Sequence, residues 1–260
     1  NRVGTFSMFA VMNAMMELGL SIEAVDKLTG PIVGNPKSAS FRTADLVGLD
    51  TLLHVADNVY DGSPDDEKRE IFQPPEFIKK MIEKGFLGEK TRQGFYKKSK
   101  DADGKRVILS LDYNTLDYTP QEKVKMASLE AAKNASGVGN KIKALYYAKD
   151  QAGEFTFKTL SETLIYAANR IPEIADDIVN VDNALKWGFA RKLGPFEAWD
   201  AIGLSKSVAK MKEAGYEIPA WVAEMLESGK ETFYKKDTGN LYFYDIPSKD
   251  YQEVPVKPGI

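Results

Sequence analysis

Two stretches of this chain share one pattern. Residues Phe41–Leu49 read FRTADLVGL, and residues Phe196–Leu204 read FEAWDAIGL. A phenylalanine, an aspartate, a glycine and a leucine therefore recur at identical spacing, 155 residues apart. Such self-similarity at a long period indicates that one structural unit occurs twice.

Further matches occur in the same order along the chain. They pair Glu17 with Glu173, Val25-Asp26 with Val181-Asp182, FIKKMIEKG at 77–85 with WVAEMLESG at 221–229, and FYKK at 95–98 with FYKK at 233–236. The separation shortens from 156 residues at the first matches to 138 at the last. Duplication followed by loop shortening produces this trend, so we predict two copies joined by segment 99–150.

Helical signals dominate the chain. Residues Val3–Leu18 are apolar on nearly every face, which predicts a buried helix. Thr119-Pro120-Gln121-Glu122 has the form of a capping box with proline at the first helical position, which predicts a helix over 119–135. Short aromatic or β-branched runs separated by turn residues predict small hairpins. Other helices are predicted over 22–28, 46–60, 141–149, 156–170, 174–186 and 219–228, and one is predicted to start at Pro75 and end at Gly85.

Composition excludes several kinds of site. The 260 residues carry a net charge of -3, so no basic excess points to nucleic acid. There is no cysteine, which excludes disulfides and thiolate chemistry, and the single histidine excludes sites that need two. The missing cysteines and the single histidine also mean that no metal site is expected. The most apolar stretch is broken by Asn13 and Glu17, so no membrane span is expected.

With the repeat aligned, the chain resembles the C-terminal region of NAD-dependent 3-hydroxyacyl-CoA dehydrogenases. That family has an Asn-Arg opening, a G-P-F-E-x-x-D-x-x-G-L-D stretch and a final G-x-K-x-x-x-G-F-Y. Residues Gly194–Leu204 show the middle motif nearly intact, Gly88–Tyr96 show the last one, and Asn1-Arg2 matches the opening. The resemblance implies a mainly α fold with small β-hairpins. It also implies two tandem copies of the helical domain typical of the C-terminal part of 6-phosphogluconate dehydrogenase.

The predicted organisation has four parts. Residues 1–98 form the first C-terminal domain, 99–150 form a connecting hairpin and helices, 151–236 form a second, degenerate copy, and 237–260 form a C-terminal hairpin or tail. No G-x-G-x-x-G follows a strand, so the chain contains no Rossmann domain. Because the chain opens without methionine, it is expected to be a fragment or a processed product.

The resemblance implies an L-3-hydroxyacyl-CoA dehydrogenase of fatty-acid β-oxidation, for which this chain supplies an acyl-pocket wall and a domain interface. Asn1 is the catalytic candidate, because in the family the matching asparagine lies beside the substrate carbonyl. An ordinary helix N-cap is the alternative, and both roles are compatible. The implied substrate-binding residues are Pro36, Lys37, Ser38, Ala39 and Phe41. In this loop the expected G-P-F-E reads ASFR at 39–42, which puts the chain-length preference in doubt.

The implied cofactor is NAD, bound mainly by a Rossmann domain outside this chain. Implied partners are the 3-hydroxyacyl-CoA substrate, that Rossmann domain, an enoyl-CoA hydratase module in the same polypeptide, and a second protein molecule in a homodimer. The alternative is that the second copy packs against the first in place of a dimer partner, which would make the whole protein a monomer. A cytoplasmic location is expected, or a mitochondrial one in a eukaryote.

Two other interpretations stay open. The chain could be the helical domain of another 3-hydroxy-acid dehydrogenase, or a dimerisation scaffold without catalysis. His54 matches no catalytic position of the family and is expected in the core or on the surface. The repeated carboxylates Asp26, Asp45, Asp182 and Asp200 are expected to make capping and loop hydrogen bonds rather than to transfer protons.

Overall fold

The apolar run at the start of the chain forms the first helix, α1 (Arg2–Leu18), in a computed structural model that describes residues 1–255. The helix ends at Gly19, whose left-handed conformation (φ 64°) lets its N–H reach back to the last turn. Its buried side chains include Phe6, Phe9 and Met12. The prediction of a buried helix over Val3–Leu18 is confirmed.

The elements that follow α1 are mainly helical. They are α2 (Ile22–Thr29), α3 (Phe41–Val47), α4 (Leu49–Gly62) and α5 (Glu76–Glu83), and then an antiparallel sheet of β1 (Tyr96–Lys100), β2 (Arg106–Leu111) and β3 (Tyr118–Pro120). Helices α6 (Ala127–Lys133), α7 (Val138–Tyr146) and α8 (Gln151–Asn169) come next. Helix α8 runs antiparallel to α1, since Phe6 stacks on Tyr166 with 3.9 Å between ring centroids while Gln151 reaches the carbonyl of Leu18.

The same order of elements then occurs again. It consists of α9 (Ile178–Gly188), α10 (Pro195–Ile202), α11 (Leu204–Glu213) and α12 (Ala220–Glu227), followed by an antiparallel sheet of β4 (Tyr234–Asp237), β5 (Asn240–Asp245) and β6 (Asp250–Glu253). We call the elements from α1 to β3 the first half and those from α8 to β6 the second half. The fold of the described residues is therefore mainly α with two small sheets, as predicted. Each predicted hairpin gains a third strand. The predicted tail over 237–260 ends in residues 256–260, which lie outside the described part.

One carboxylate fixes the start of each sheet, a buried one in the first sheet and a half-buried one in the second. Asp45 on α3 accepts hydrogen bonds from the backbone N–H groups of Phe95 and Tyr96 at 2.8 and 2.9 Å. Asp200 on α10 does the same for Phe233 and Tyr234, at 2.8 and 2.9 Å. Both carboxylates serve the backbone, as expected for architectural residues.

The G-F-Y motif needs glycine at position 94 because the chain there comes very close to Asp45 on α3. A Cβ atom on Gly94 would lie 2.1 Å from Oδ1 of Asp45. Any larger residue would therefore push the strand away from the carboxylate that holds it.

A second carboxylate in each half connects three elements. Asp26 on α2 accepts hydrogen bonds from the N–H groups of Phe41 and Arg42 at the start of α3, and from the hydroxyl of Tyr96 at 2.8 Å. Burial raises the pKa of Asp26 to about 6, and these hydrogen bonds oppose that rise.

Asp182 on α9 has the matching partners in the second half. It accepts from the N–H groups of Phe196 and Glu197 and from the hydroxyl of Tyr234 at 2.9 Å. Burial raises its pKa to about 7. The two aspartates therefore tie the same three elements together in each half.

The predicted helix start at Thr119 is wrong. Thr119 and Pro120 belong to β3, where they lie opposite Ser110 and Leu109. Glu122 then donates its N–H to the carboxylate of Glu23 at 2.9 Å, and α6 begins only at Ala127. Pairing with β2 and with a distant acceptor outweighs the local capping signal, and the proline is tolerated because β3 is an edge strand.

Candidate functional site

A cavity of about 550 Å³ lies between the two halves of the described chain. Its lining comes from two loops at equivalent places and from the helices α1, α2, α3, α4, α7, α8, α9 and α10. The first loop, residues 30–40, connects α2 to α3, and the second loop, residues 189–194, connects α9 to α10. The lining is mostly apolar or hydroxyl-bearing, which is the usual character of a site for an apolar ligand.

Asn1 lies at the edge of this cavity and is exposed. It occupies the N-cap position of α1, but its side chain makes no capping hydrogen bond. Within residues 1–255 its amide has no other hydrogen-bond partner either. The amide group is thus free to donate a hydrogen bond to an oxygen atom of a ligand in the cavity.

The structure brings together three of the five predicted substrate-binding residues. Pro36, Ser38 and Ala39 line the cavity with Asn1. Lys37 does not, because it lines a separate groove on the outer side of the loop. Phe41 is fully buried beneath the loop, with its ring centroid 4.4 Å from that of Phe95.

Hydrogen bonds hold the first loop where the glycine and proline of the family motif are replaced. Ala39 has a positive φ of 50°, a conformation that is unusual for alanine. The hydroxyl of Thr43 donates to the carbonyl of Ala39 at 2.6 Å, and the Ser38 and Thr43 hydroxyls lie 2.7 Å apart. These bonds fix the loop in a conformation that its sequence alone does not favour.

The second loop forms the opposite wall of the cavity, and sequence reasoning did not identify it. The ring of Phe189 lies against the backbone of Gly4 on α1. The N–H of Lys192 donates to the carbonyl of Gly34 at 2.8 Å, so the two loops are joined directly. The signal available in the sequence was the position of this loop, which corresponds to the predicted substrate loop of the first half.

Arg191 in the second loop also lines the cavity. Its guanidinium donates to the hydroxyl of Ser7 at 3.3 Å and lies 5.9 Å from the ring centroid of Phe189. Burial lowers the pKa of Arg191 to about 10, so the group stays charged at neutral pH.

Arg2, the residue after Asn1, belongs to a cluster of charged side chains. Asp66, whose side chain is fully buried, accepts from Arg2 at 2.8 Å and from the hydroxyl of Tyr166 at 2.5 Å. It also pairs with Arg170 at 3.2 Å. Burial acts to raise the pKa of Asp66, but the hydrogen bonds from Tyr166, the backbone of Lys68 and Arg2 lower it below its usual value. The cluster fixes the first turn of α1 against α8.

A second, charged groove of about 530 Å³ lies on the first half. Its basic side chains include Lys27, Lys37 and Arg92, while Arg42 is paired with Glu89. This groove is separate from the cavity that Asn1 borders.

Three further expectations from the sequence concern His54, metal binding and membrane spans. His54 is exposed on α4, outside the cavity lining. Within residues 1–255 no three acidic or histidine side chains form a group that could hold a metal ion. In the same part of the chain no helix is long and apolar enough to cross a bilayer.

The first part of the chain matches a known family. Residues 1–98 match the family model described as 3-hydroxyacyl-CoA dehydrogenase, C-terminal domain. The resemblance predicted from the sequence is thereby confirmed for this part of the chain.

Particular relatives extend the match. The chain is 49% identical over 245 residues to a probable 3-hydroxyacyl-CoA dehydrogenase of Bacillus subtilis (strain 168), covering 94% of this chain and 30% of that protein. It is 28% identical over 198 residues to a putative fatty acid oxidation complex trifunctional enzyme of Rickettsia felis, covering 76% of this chain and 26% of that protein. The chain therefore spans less than a third of the length of these relatives.

A solved structure shows the same fold. The crystal structure of 3-hydroxybutyryl-CoA dehydrogenase from Escherichia coli K12 superposes with a TM-score of 0.50 and 16% sequence identity. The superposition covers 87% of this chain and 60% of that one.

Proposed function

We propose that this chain is the C-terminal helical part of an L-3-hydroxyacyl-CoA dehydrogenase of fatty-acid β-oxidation. The reaction transfers a hydride from C3 of the 3-hydroxyacyl-CoA to NAD and gives the 3-ketoacyl-CoA. The observation that carries the proposal is the unpartnered amide of Asn1 at the edge of an apolar cavity, on a domain that matches this family.

Asn1 acts on the substrate oxygen. As the C3 alcohol becomes a carbonyl, an amide donor aimed at its oxygen stabilises the charge that develops there. Pro36, Ser38 and Ala39 contact the acyl part of the substrate from the first loop. Lys37, on the outer side of this loop, sets its charge, and Phe41, the first residue of α3, sets its position from beneath.

The residues described here do not form a site for NAD. Both sheets are antiparallel and three-stranded, whereas a dinucleotide binds at the switch point of a parallel sheet with a glycine-rich turn. We assign NAD binding, together with the general base, to a Rossmann domain of the whole protein. The isolated chain is then inactive, and NADH production by the purified chain from 3-hydroxybutyryl-CoA would contradict this assignment.

The two halves are tandem copies of the 6-phosphogluconate-dehydrogenase C-terminal-like helical domain, with boundaries at 1–98, 99–150, 151–236 and 237–260. The support is the repeated order of elements and the equivalent partners of Asp26 and Asp182. The direct bond between the first and second loops supports a further point. The second copy takes the place that a dimer partner would occupy, and the whole protein is a monomer rather than a homodimer.

An enoyl-CoA hydratase module in the same polypeptide is the further partner that we propose. Its support is the similarity to a relative described as a trifunctional enzyme. We place the whole protein in the cytoplasm, or in mitochondria if the source is eukaryotic.

The test uses the full-length protein with Asn1→Ala. The control is Asn13→Ala, which removes an exposed amide from the same helix, away from the cavity. Asn1→Ala is expected to lower kcat for 3-hydroxyacyl-CoA oxidation by about 10²- to 10³-fold, the usual cost of losing one such donor. Asn13→Ala is expected to leave kcat unchanged.

An unchanged kcat in Asn1→Ala would contradict the catalytic role. Oxidation of free 3-hydroxy acids in preference to CoA thioesters would favour another 3-hydroxy-acid dehydrogenase. The absence of any dehydrogenase activity in the full-length protein would favour a scaffold.

A further inference from the structure

The cavity between the two halves holds a cation without a counter-ion. Arg191 is the one charged side chain among the described residues that line this cavity. Within residues 1–255 no carboxylate lies within salt-bridge distance of its guanidinium. The hydroxyl of Ser7 is the hydrogen-bond acceptor that it contacts, at 3.3 Å.

The surroundings of Arg191 make this arrangement unusual. A guanidinium has five N–H donors in a planar fork, and the Ser7 hydroxyl satisfies only part of that capacity. The side chain is half-buried, and the lining of the same cavity includes apolar residues such as Met8 and Leu160. Burying a charge beside apolar groups costs free energy unless a partner compensates for it.

Contacts of the residues before and after Arg191 fix the position of its backbone. Before it, the ring of Phe189 packs on Gly4, and Ala190 has a positive φ of 52°. After it, the N–H of Lys192 is bonded to Gly34 at 2.8 Å. With its backbone fixed and its guanidinium bonded to Ser7, Arg191 loses little conformational freedom when it binds a ligand, which favours affinity.

We propose that Arg191 binds an anionic oxygen group, a phosphate or a carboxylate, of the ligand that enters this cavity. The planar fork of the guanidinium matches both groups in two-point hydrogen bonding. The second copy thus contributes a binding residue to the site that Asn1 borders. This inference rests on the proposed function only for the identity of the ligand, an acyl-CoA.

Two parts of such a ligand carry this chemistry. One is the nucleotide phosphates of coenzyme A, and the other is a carboxylate at the far end of the acyl chain. Three probes separate them: coenzyme A itself, a 3-ketoacyl thioester of pantetheine without nucleotide phosphates, and a 3-ketoacyl-CoA that ends in a carboxylate.

The experiment measures the Kd of each probe by calorimetry with the full-length protein and with Arg191→Met. The matched control is Lys192→Met, which removes an adjacent exposed cation that does not line the cavity. Arg191→Met is expected to weaken the binding of at least one charged probe by tenfold or more, whereas Lys192→Met is expected to change the binding of every probe less than twofold. Arg191→Lys, which keeps the charge and loses the fork, is expected to fall between wild type and Arg191→Met.

Weaker binding of coenzyme A assigns Arg191 to the phosphates. Weaker binding confined to the carboxylate-ended thioester assigns it to the acyl end. Unchanged binding of both charged probes, or an equal loss for the neutral pantetheine thioester, would overturn the proposal. If Arg191→Met does not fold, Arg191→Lys decides by the same comparison.

This readout is independent of turnover. A protein that binds the charged probes through Arg191 but forms no NADH would overturn the proposed function and leave this inference standing. A protein that oxidises 3-hydroxyacyl-CoA but binds the charged probes equally well in Arg191→Met would overturn this inference and leave the proposed function standing.

Discussion

The ring of Phe189 lies directly on the backbone of Gly4. A Cβ atom at Gly4 would come within 2.2 Å of Cζ of this ring. Gly4 belongs to the first turn of α1, three residues after Asn1, and Phe189 begins the second loop. The absence of a side chain at Gly4 is therefore what allows the second half to close over the start of α1.

Gly4→Ala is expected to move the second loop without unfolding the protein. The new methyl group displaces the Phe189 ring, which can move because it is 37% exposed, while alanine in a helix gains up to about 1 kcal/mol over glycine. The free energy of unfolding should therefore change by less than about 1 kcal/mol. With the proposed function, the KM of the full-length protein for 3-hydroxyacyl-CoA should rise severalfold. Urea unfolding and steady-state kinetics measure the two quantities.

The control for this prediction is the double variant Gly4→Ala/Phe189→Ala. With the ring removed, the methyl group has room, so Gly4→Ala should stabilise the Phe189→Ala background by up to about 1 kcal/mol. The prediction fails if the effect of Gly4→Ala is the same with and without the ring.

Arg2→Met is expected to destabilise the protein because it removes one partner of a buried charge. Asp66 would keep Tyr166 and Arg170 but lose the 2.8 Å bond from Arg2. Losing one partner of a buried pair costs about 3 to 5 kcal/mol, and the remaining partners reduce the expected loss to about 2 to 4 kcal/mol. Urea unfolding at pH 7 measures it.

The loss caused by Arg2→Met should depend on pH in a defined direction. The hydrogen bonds to Asp66 lower its pKa in the folded protein, so their contribution is present at neutral pH and is lost as the pH falls through that lowered pKa. The destabilisation should therefore shrink in acid. Arg106→Met, which removes an exposed arginine of β2, should show neither the loss nor the trend.

Much of this architecture follows from local sequence. The apolar run of α1 predicted its burial, and the repeated F-x-x-x-D-x-x-G-L pattern placed Asp45 and Asp200 at matching positions. Glu17 and Glu173 are an exception, because the first lies on α1 and the second follows α8 in a turn. The pattern succeeds where a residue bonds within its own half, since spacing alone then fixes the partners.

Other features depend on contacts between distant segments, which spacing does not reveal. Thr119 pairs with β2 instead of starting a helix. Phe41 belongs to the predicted substrate loop, yet it packs beneath that loop on Phe95. Arg191 became a site candidate only when folding brought the second loop to Ser7. Thr119 is decided by a strand partner in the neighbouring hairpin arm, whereas Phe41 and Arg191 are decided by residues far away in the sequence.

The buried carboxylate of Asp182 makes the free energy of unfolding depend on pH, and a comparison with a variant that lacks this carboxylate isolates its contribution. Its pKa is raised by burial from 3.8 to about 7, so between these values the folded protein binds a proton that the unfolded chain has released. Stability contributed by this group is therefore fully present below pH 4 and is lost as the pH rises to 7, by at most about 1.4 kcal/mol per pH unit.

Asp182→Asn removes this titration while keeping a side chain of similar size. The difference in unfolding free energy between wild type and Asp182→Asn should consequently fall from pH 4 to pH 7, because wild type alone loses stability over that window. Urea unfolding at three pH values measures the difference, and Asp176→Asn, a change at an exposed aspartate, gives the background. A difference that grows with pH would mean that the three hydrogen bonds to Asp182 outweigh its burial and hold it as a charged group in the folded protein.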